Sequence, residues 1–199
     1  MSFPSAHFDL LNAMAALQAP DGVIAFPTDT VWGLGCLITH PEAVERIYTL
    51  KGREENKPLI LLGIEQQCFT PFVADLPALA LDLMEAHWPG ALTLVLPRSE
   101  KVPDSVTRGL DTIGLRVPNA PLLRELLTMV PEGLLATTSA NRSGQPPCET
   151  AAEVWAAFPG LGAVLDDPQQ RPSGEASTVA GVGSDNRLVI FRQGALVLD

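Results

Sequence analysis

One segment, Val23-Ile24-Ala25-Phe26-Pro27-Thr28-Asp29-Thr30-Val31-Trp32-Gly33-Leu34-Gly35-Cys36, constrains the fold of this chain more than any other. Its four apolar residues read as a buried strand that stops at a proline. The hydroxyls and the carboxylate that follow form a turn, where Thr side chains bond nearby backbone groups. Apolar strands that end on polar turns hold functional side chains rigidly at the rim of a sheet. Taken alone, the segment fits a capped turn or a binding loop, and both readings stay open.

Short apolar runs recur at Leu59 to Leu62, Ala91 to Leu96, Thr112 to Val117, Gly133 to Thr138, Ala163 to Leu165, Ser177 to Val179 and Leu188 to Phe191. Between them, helical spacing predicts a first helix over residues 5–19, with Phe8, Leu11, Ala15 and Leu17 inward. Further helices are predicted at Pro41 to Leu50, Pro77 to His87, Pro121 to Met129 and from Thr150 to about Phe158. Thr39 with Glu42, and Thr150 with Glu153, have capping-box spacing. Trp88-Pro89-Gly90 breaks a helix, and Trp88 is predicted to plug the core there. Sixteen Gly and 18 Pro in 199 residues supply the turns that so many short elements require. Helices interposed without regular βαβ spacing predict an α+β or mixed-sheet domain rather than a doubly wound one, and the length suits one sizeable domain or at most two small ones.

The formal net charge of −10 disfavours a protein whose main task is to coat phosphate backbone, though a local basic pocket for a small anion is compatible with it. No Lys or Arg precedes Arg46, so the positive start of a secretory signal or an Arg-rich transit peptide is missing. A cytoplasmic location without membrane association is the expectation. Cys36, Cys68 and Cys148 are scattered and odd in number, which reads as reduced thiols. Neither they nor His7, His40 and His87 have metal-ligand spacing, so a protein-held zinc is not expected. Gly33-x-Gly35 is too short for a dinucleotide fingerprint, and no P-loop occurs.

The stripe Val44, Ile47, Tyr48 continues at i+4 to Lys51, an ammonium at the end of an inward-facing row. With Arg53 it forms either an anion site or a favourable pairing with the helix C-terminus; for the neighbouring Lys57 the second reading is preferred. Arg116 interrupts the strand Thr112 to Val117 and must be paired or lie at its exposed end. It is a structural ion pair or a fork for carboxylate or phosphate. A second strand empties into Ser139-Ala140-Asn141-Arg142-Ser143-Gly144-Gln145, so two polar loops can converge on one cleft.

The ordered motifs FPTDTVWGLGC (Phe26 to Cys36), KGR (Lys51 to Arg53), WPGALTLVL (Trp88 to Leu96), GLRVP (Gly114 to Pro118), TSANRSGQPP (Thr138 to Pro147) and STV (Ser177 to Val179) resemble the YrdC-like family (TsaC) of L-threonylcarbamoyladenylate synthases. The resemblance implies an α+β fold, a single domain over residues 1–199 with a large twisted mixed sheet flanked by helices around an open, positively charged cavity. It also implies a nucleotidyltransferase that makes threonylcarbamoyl-AMP and pyrophosphate from L-threonine, bicarbonate and ATP, for threonylcarbamoyladenosine in tRNA. By the same resemblance Lys51 and Arg53 are catalytic, ATP is held by Lys51, Arg53, Ser139, Asn141 and Arg192, and threonine by Thr30, Arg116 and Ser177. Mg²⁺ is expected with ATP and no protein metal site; transient contact with tRNA or tRNA-modification proteins is a further expectation. Asp29 could orient the amine, hold Mg²⁺ through water or cap a turn, with capping preferred. Trp32 stands where many members carry Tyr or Phe, and Lys57 where others have Asn. The chain ends at Asp199, without room for the extra C-terminal domain of the longer synthases, so a lid is expected from Pro168 to Glu175. The alternatives are an RNA-binding protein or an inactive paralogue of the same fold.

Overall fold

The computed structural model describes residues 6–52, 56–183 and 185–198, with side chains from residue 10 onward. Among these residues nine strands form one mixed sheet: β1 (Ile24–Phe26), β2 (Gly33–Cys36), β3 (Ile60–Gly63), β4 (Leu92–Pro97), β5 (Thr112–Arg116), β6 (Leu134–Ser139), β7 (Ala163–Val164), β8 (Thr178–Val182) and β9 (Leu188–Arg192). Their spatial order is β7-β1-β2-β6-β3-β5-β4-β8-β9. Three neighbouring pairs, β1 with β7, β3 with β5 and β4 with β8, are parallel, and the rest are antiparallel. Helices α1 (Ala6–Leu17), α2 (Pro41–Lys51), α3 (Ala78–His87), α4 (Asp104–Thr107), α5 (Pro121–Met129) and α6 (Ala151–Ala157) flank it, in keeping with the α+β expectation. None of the described helices is long and apolar enough to cross a membrane.

Successive strand residues face opposite sides of a sheet, and here they feed two separate cores. Ala25, Leu34, Leu61, Leu94, Leu115 and Ala136 pack with α2, α3 and α6 on one face. Ile24, Phe26, Leu62 and Leu135 pack with α1 and α5 on the other. That second helical layer covers β7, β1, β6 and part of β3, and the sheet beyond it carries no helix-facing core residues from β4, β5, β8 or β9. Phe26 also accounts for Gly33-x-Gly35: a Cβ at either glycine would lie 2.8 Å from its ring, so the glycines make room for an aromatic side chain crossing β2.

Several expectations need correction. In α1 the buried residues are Leu10, Ala13 and Leu17, while Leu11 and Ala15 are exposed; the Phe8 side chain is outside the described set. The helix is apolar on nearly every side, so its inward face is set by packing on Leu123, Leu126 and Leu127 of α5. Thr39 does not cap α2: Pro41 opens the helix, which makes His40 the N-cap residue, without a side-chain cap bond. Thr150 does cap α6, its hydroxyl accepting from the Glu153 N–H at 3.2 Å, but Glu153 reaches back to the Glu149 N–H rather than that of Thr150. The 168–175 loop is tied down near its end, because the Ser173 and Gly174 N–H groups donate to the Asp29 and Thr30 carbonyls at 3.2 and 2.9 Å. Trp88 plugs the core as expected, its indole N–H donating to Leu92 O at 2.8 Å and its ring 5.5 Å from that of Phe69.

Candidate active site

The uncovered part of the second face is the floor of a cavity of about 440 Å³. Strand alternation decides what lines it. On β4 the leucines 92, 94 and 96 turn to the core while Thr93 and Val95 face the cavity; on β5, Ile113 and Leu115 turn away while Thr112, Gly114 and Arg116 face it. Gly114 keeps the floor low, since a Cβ there would come within 2.7 Å of Ile60. The turn after β1 contributes Thr28 and Thr30, the end of β6 Ser139 and Asn141, and the far side Ser177 and Arg192. Six of the expected binding residues therefore meet in one place: Thr30, Arg116, Ser139, Asn141, Ser177 and Arg192.

Arg116, 4% exposed, ends β5 and is held by three partners. Its Nε donates to Gly90 O at 2.8 Å, Nη1 to Thr30 Oγ1 at 2.7 Å and Nη2 to Asp29 Oδ1 at 2.5 Å. Arg116 thus has the ion-pair partner that one of its two readings required, and these contacts take up three of a guanidinium's five N–H bonds. Asp29 is this counter-ion, and the same oxygen accepts from the Asn119 N–H at 3.2 Å. Its expected role as a turn cap gives way to a long-range pairing that joins the β1 turn to the end of β5. Burial pulls the Arg116 guanidinium below its ordinary pKa, Asp29 opposes this, and the positive charge of Arg192 adds to the depression.

Thr28 donates to Val31 O at 2.7 Å and accepts from the Thr30 and Val31 N–H groups at 3.1 and 3.2 Å, which occupies its proton and both lone pairs. Its Oγ1 lies 3.0 Å from Thr30 Oγ1, and Thr30 Oγ1 accepts from Arg116.

Across the cavity Arg192 reaches in from β9, its Nη2 donating to Ser177 O at 2.8 Å and to Ser177 Oγ at 3.4 Å. Partial burial lowers its pKa. Ser177 Oγ lies 2.8 Å from Thr93 Oγ1, and both hydroxyls are buried.

Lys51 is 2% exposed and sits beneath the loop after β6. Its ammonium donates to Ser139 O, to Asn141 O at 2.7 Å and to Asn141 Oδ1 at 3.0 Å. Ser139 Oγ donates to the same Oδ1 at 2.6 Å, and the Asn141 amide N–H groups go to Arg142 O and Gln145 O. Lys51 thus supports the Ser139 to Asn141 turn from behind and does not itself border the cavity. The inward position expected for it is met; Arg53 lies outside the described residues. Trp32, 4% exposed, packs under the same turn and donates to Glu149 O at 3.1 Å.

Residues that the motifs did not single out also line the site. Thr93, Thr112, Thr137 and Thr138 are among them, and Thr93 and Thr112 alternate with apolar residues along their strands. The period-2 interruption in Leu92-Thr93-Leu94 and Thr112-Ile113-Gly114-Leu115-Arg116 was a usable signal for them. A larger groove of about 920 Å³ lies between α1, α6 and β7. Its guanidinium, Arg46, is already engaged by Asp21 and by Gly160 O, and none of the motif loops reaches it. Among the described residues no three His, Cys, Asp or Glu side chains form a metal-holding group. Burial pushes the Cys36 thiol up to about 12, which removes it as a nucleophile.

The profile of the Sua5/YciO/YrdC family, described as telomere recombination, matches residues 16–194. The chain belongs to this family. A relative from Halorhodospira halophila named threonylcarbamoyl-AMP synthase is 41% identical over 147 residues, covering 74% of this chain and 76% of its own length. The crystal structure of Pyrococcus abyssi Sua5 complexed with L-threonine superposes with a TM-score of 0.86 at 32% identity, covering 98% of this chain and 56% of that one. Escherichia coli YciO, at 23% identity and a TM-score of 0.81 over 98% of this chain and 92% of its own, shares the fold.

Proposed function

We propose that this protein is an L-threonylcarbamoyladenylate synthase: L-threonine, bicarbonate and ATP give threonylcarbamoyl-AMP, pyrophosphate and water. The observation that carries the reading is the convergence of Arg116, Arg192 and the hydroxyls of Thr30, Ser177 and Thr93 on one cavity. The P. abyssi Sua5 complex with L-threonine and the names of the relatives support it.

The reaction joins two anions. Threonine nitrogen and bicarbonate form a carbamate; a carbamate oxygen then attacks the α-phosphorus of ATP, and the bond from that phosphorus to the β-phosphate oxygen breaks. A site for this step must first offset charge repulsion, and fixed cationic donors do so without reorganising. Arg116 offers its free N–H bonds to the amino-acid carboxylate, while Asp29 and Thr30 fix its plane. Thr30 accepts from Arg116 and presents its hydroxyl to the ligand. Arg192 faces the nucleotide side. Ser139 and Asn141 shape the opposite wall on the Lys51 ammonium, whose charge lies just behind it. Arg53 is proposed to act on the phosphates, with the Lys51 ammonium holding the Ser139 to Asn141 turn from behind. Mg²⁺ is proposed to enter bound to the ATP phosphates, as part of that substrate.

The product supplies threonylcarbamoyl groups for tRNA, and a transient contact with tRNA or tRNA-modification proteins in the cytoplasm follows from that role. Pyrophosphate release is the test: it should require threonine and bicarbonate together. Release that ignores either substrate, or none from folded protein, overturns the reading.

A further inference from the structure

The described residues leave one hydroxyl proton at the cavity floor without an acceptor. Thr93 and Ser177 face each other at 2.8 Å, 1% and 5% exposed, and both border the cavity. Two hydroxyls bring two protons, and the bond between them uses one. Arg192, the other neighbour of the pair, can only donate to Ser177. Among the described residues neither hydroxyl has another acceptor. A buried O–H left without a partner is costly, so the second proton has reason to point into the cavity, towards a ligand. The two possible directions of the shared bond lead to the same result, because the pair donates once in either.

We propose that Thr93, paired with Ser177, forms a neutral hydrogen-bond donor for an oxygen of the amino-acid carboxylate or carbamate, alongside the cationic donors Arg116 and Arg192. This rests on the synthase reading and adds Thr93 to its site. The pair and the Arg116 guanidinium are then both donors, so they take the anionic end of the amino acid.

Thr93→Val keeps the branched shape and removes the hydroxyl, Thr93→Ser keeps the hydroxyl, and Ser177→Ala removes the other member. Thr93→Val or Ser177→Ala alone leaves one hydroxyl, whose proton is no longer shared and can still be donated, so only Thr93→Val/Ser177→Ala removes the donor. Titration calorimetry should show L-threonine binding weakened about tenfold or more in this double variant, in line with a bond to a charged group, and by less in either single variant. MgATP affinity should stay within about twofold by the same reasoning, since the lost donor faces the amino acid. Thr93→Ser/Ser177→Ala should restore threonine binding. Unchanged threonine affinity in Thr93→Val/Ser177→Ala, equal losses for both substrates, or a Thr93→Ser/Ser177→Ala variant as weak as Thr93→Val/Ser177→Ala would overturn the proposal while the synthase reading stands. If Thr93→Val/Ser177→Ala does not fold, Thr93→Ala/Ser177→Ala against Thr93→Ser/Ser177→Ala carries the same comparison. Wild-type protein that binds no threonine would overturn both.

Discussion

Arg116 and Asp29 show how one residue can be structural and functional together. The guanidinium is buried and its carboxylate partner largely so, and removing one member of such a pair leaves an uncompensated charge. Asp29→Asn is expected to lower stability by about 1–3 kcal/mol in denaturant unfolding and to raise KM for threonine more than it lowers kcat. An unchanged KM would mean that Asp29 does not set the plane of Arg116. Arg116→Ala should cost about a hundredfold or more in threonine-dependent turnover, the scale of losing an anion-stabilising donor. Cys36 offers a separate check: with its thiol pushed up to about 12, iodoacetamide at pH 8 should leave it unmodified in native protein and alkylate it after unfolding. That Arg116 needed a partner was legible in the sequence, as a charge in an apolar strand. That the partner was Asp29 was not, because the two are 87 positions apart and meet only when β1 and β5 join one sheet.

At the scale of elements, strands were read more securely than the details of helices. Period-2 alternation survives in β4 and β5 because opposite faces meet chemically different surroundings, a leucine-rich core and a polar cavity. The inward face of α1 was misread because a helix apolar on most sides carries no usable moment. The Thr150 cap was legible because Thr150 immediately precedes the first helical residue; the Thr39 cap failed because the helix starts at Pro41, two residues beyond Thr39. Thr150→Ala is therefore expected to cost about 1 kcal/mol in thermal or denaturant unfolding, whereas Thr39→Ala should cost far less. The packing of Phe26 across β2 was invisible without the register that brings Phe26 opposite Gly33. Gly35→Ala should destabilise by about 1–3 kcal/mol through overpacking, and Phe26→Leu/Gly35→Ala should lose less than the two single effects summed. Additive losses would show that the glycine serves something other than the ring.

The whole molecule sets a local cationic cavity in a chain of net charge −10. The acidic exterior repels extended phosphate backbone while Arg116 and Arg192 act at short range, a combination better suited to a small anion than to RNA. Binding of tRNA without ATP should accordingly be weak and fall steeply with salt; tight, salt-resistant binding would favour the RNA-binding alternative. The fold-level reading succeeded because the family's motifs occupy the parts of the sheet and its loops that surround one cavity. The most direct measurement of the central claim is mass spectrometry of the product formed from ATP, Mg²⁺, L-threonine and ¹³C-labelled bicarbonate. The account predicts a threonylcarbamoyl-AMP carrying one labelled carbon, lost when threonine is omitted and strongly reduced in Arg116→Ala. Folded wild-type protein that forms no labelled adenylate, or an Arg116→Ala variant that forms it at the wild-type rate, would contradict it.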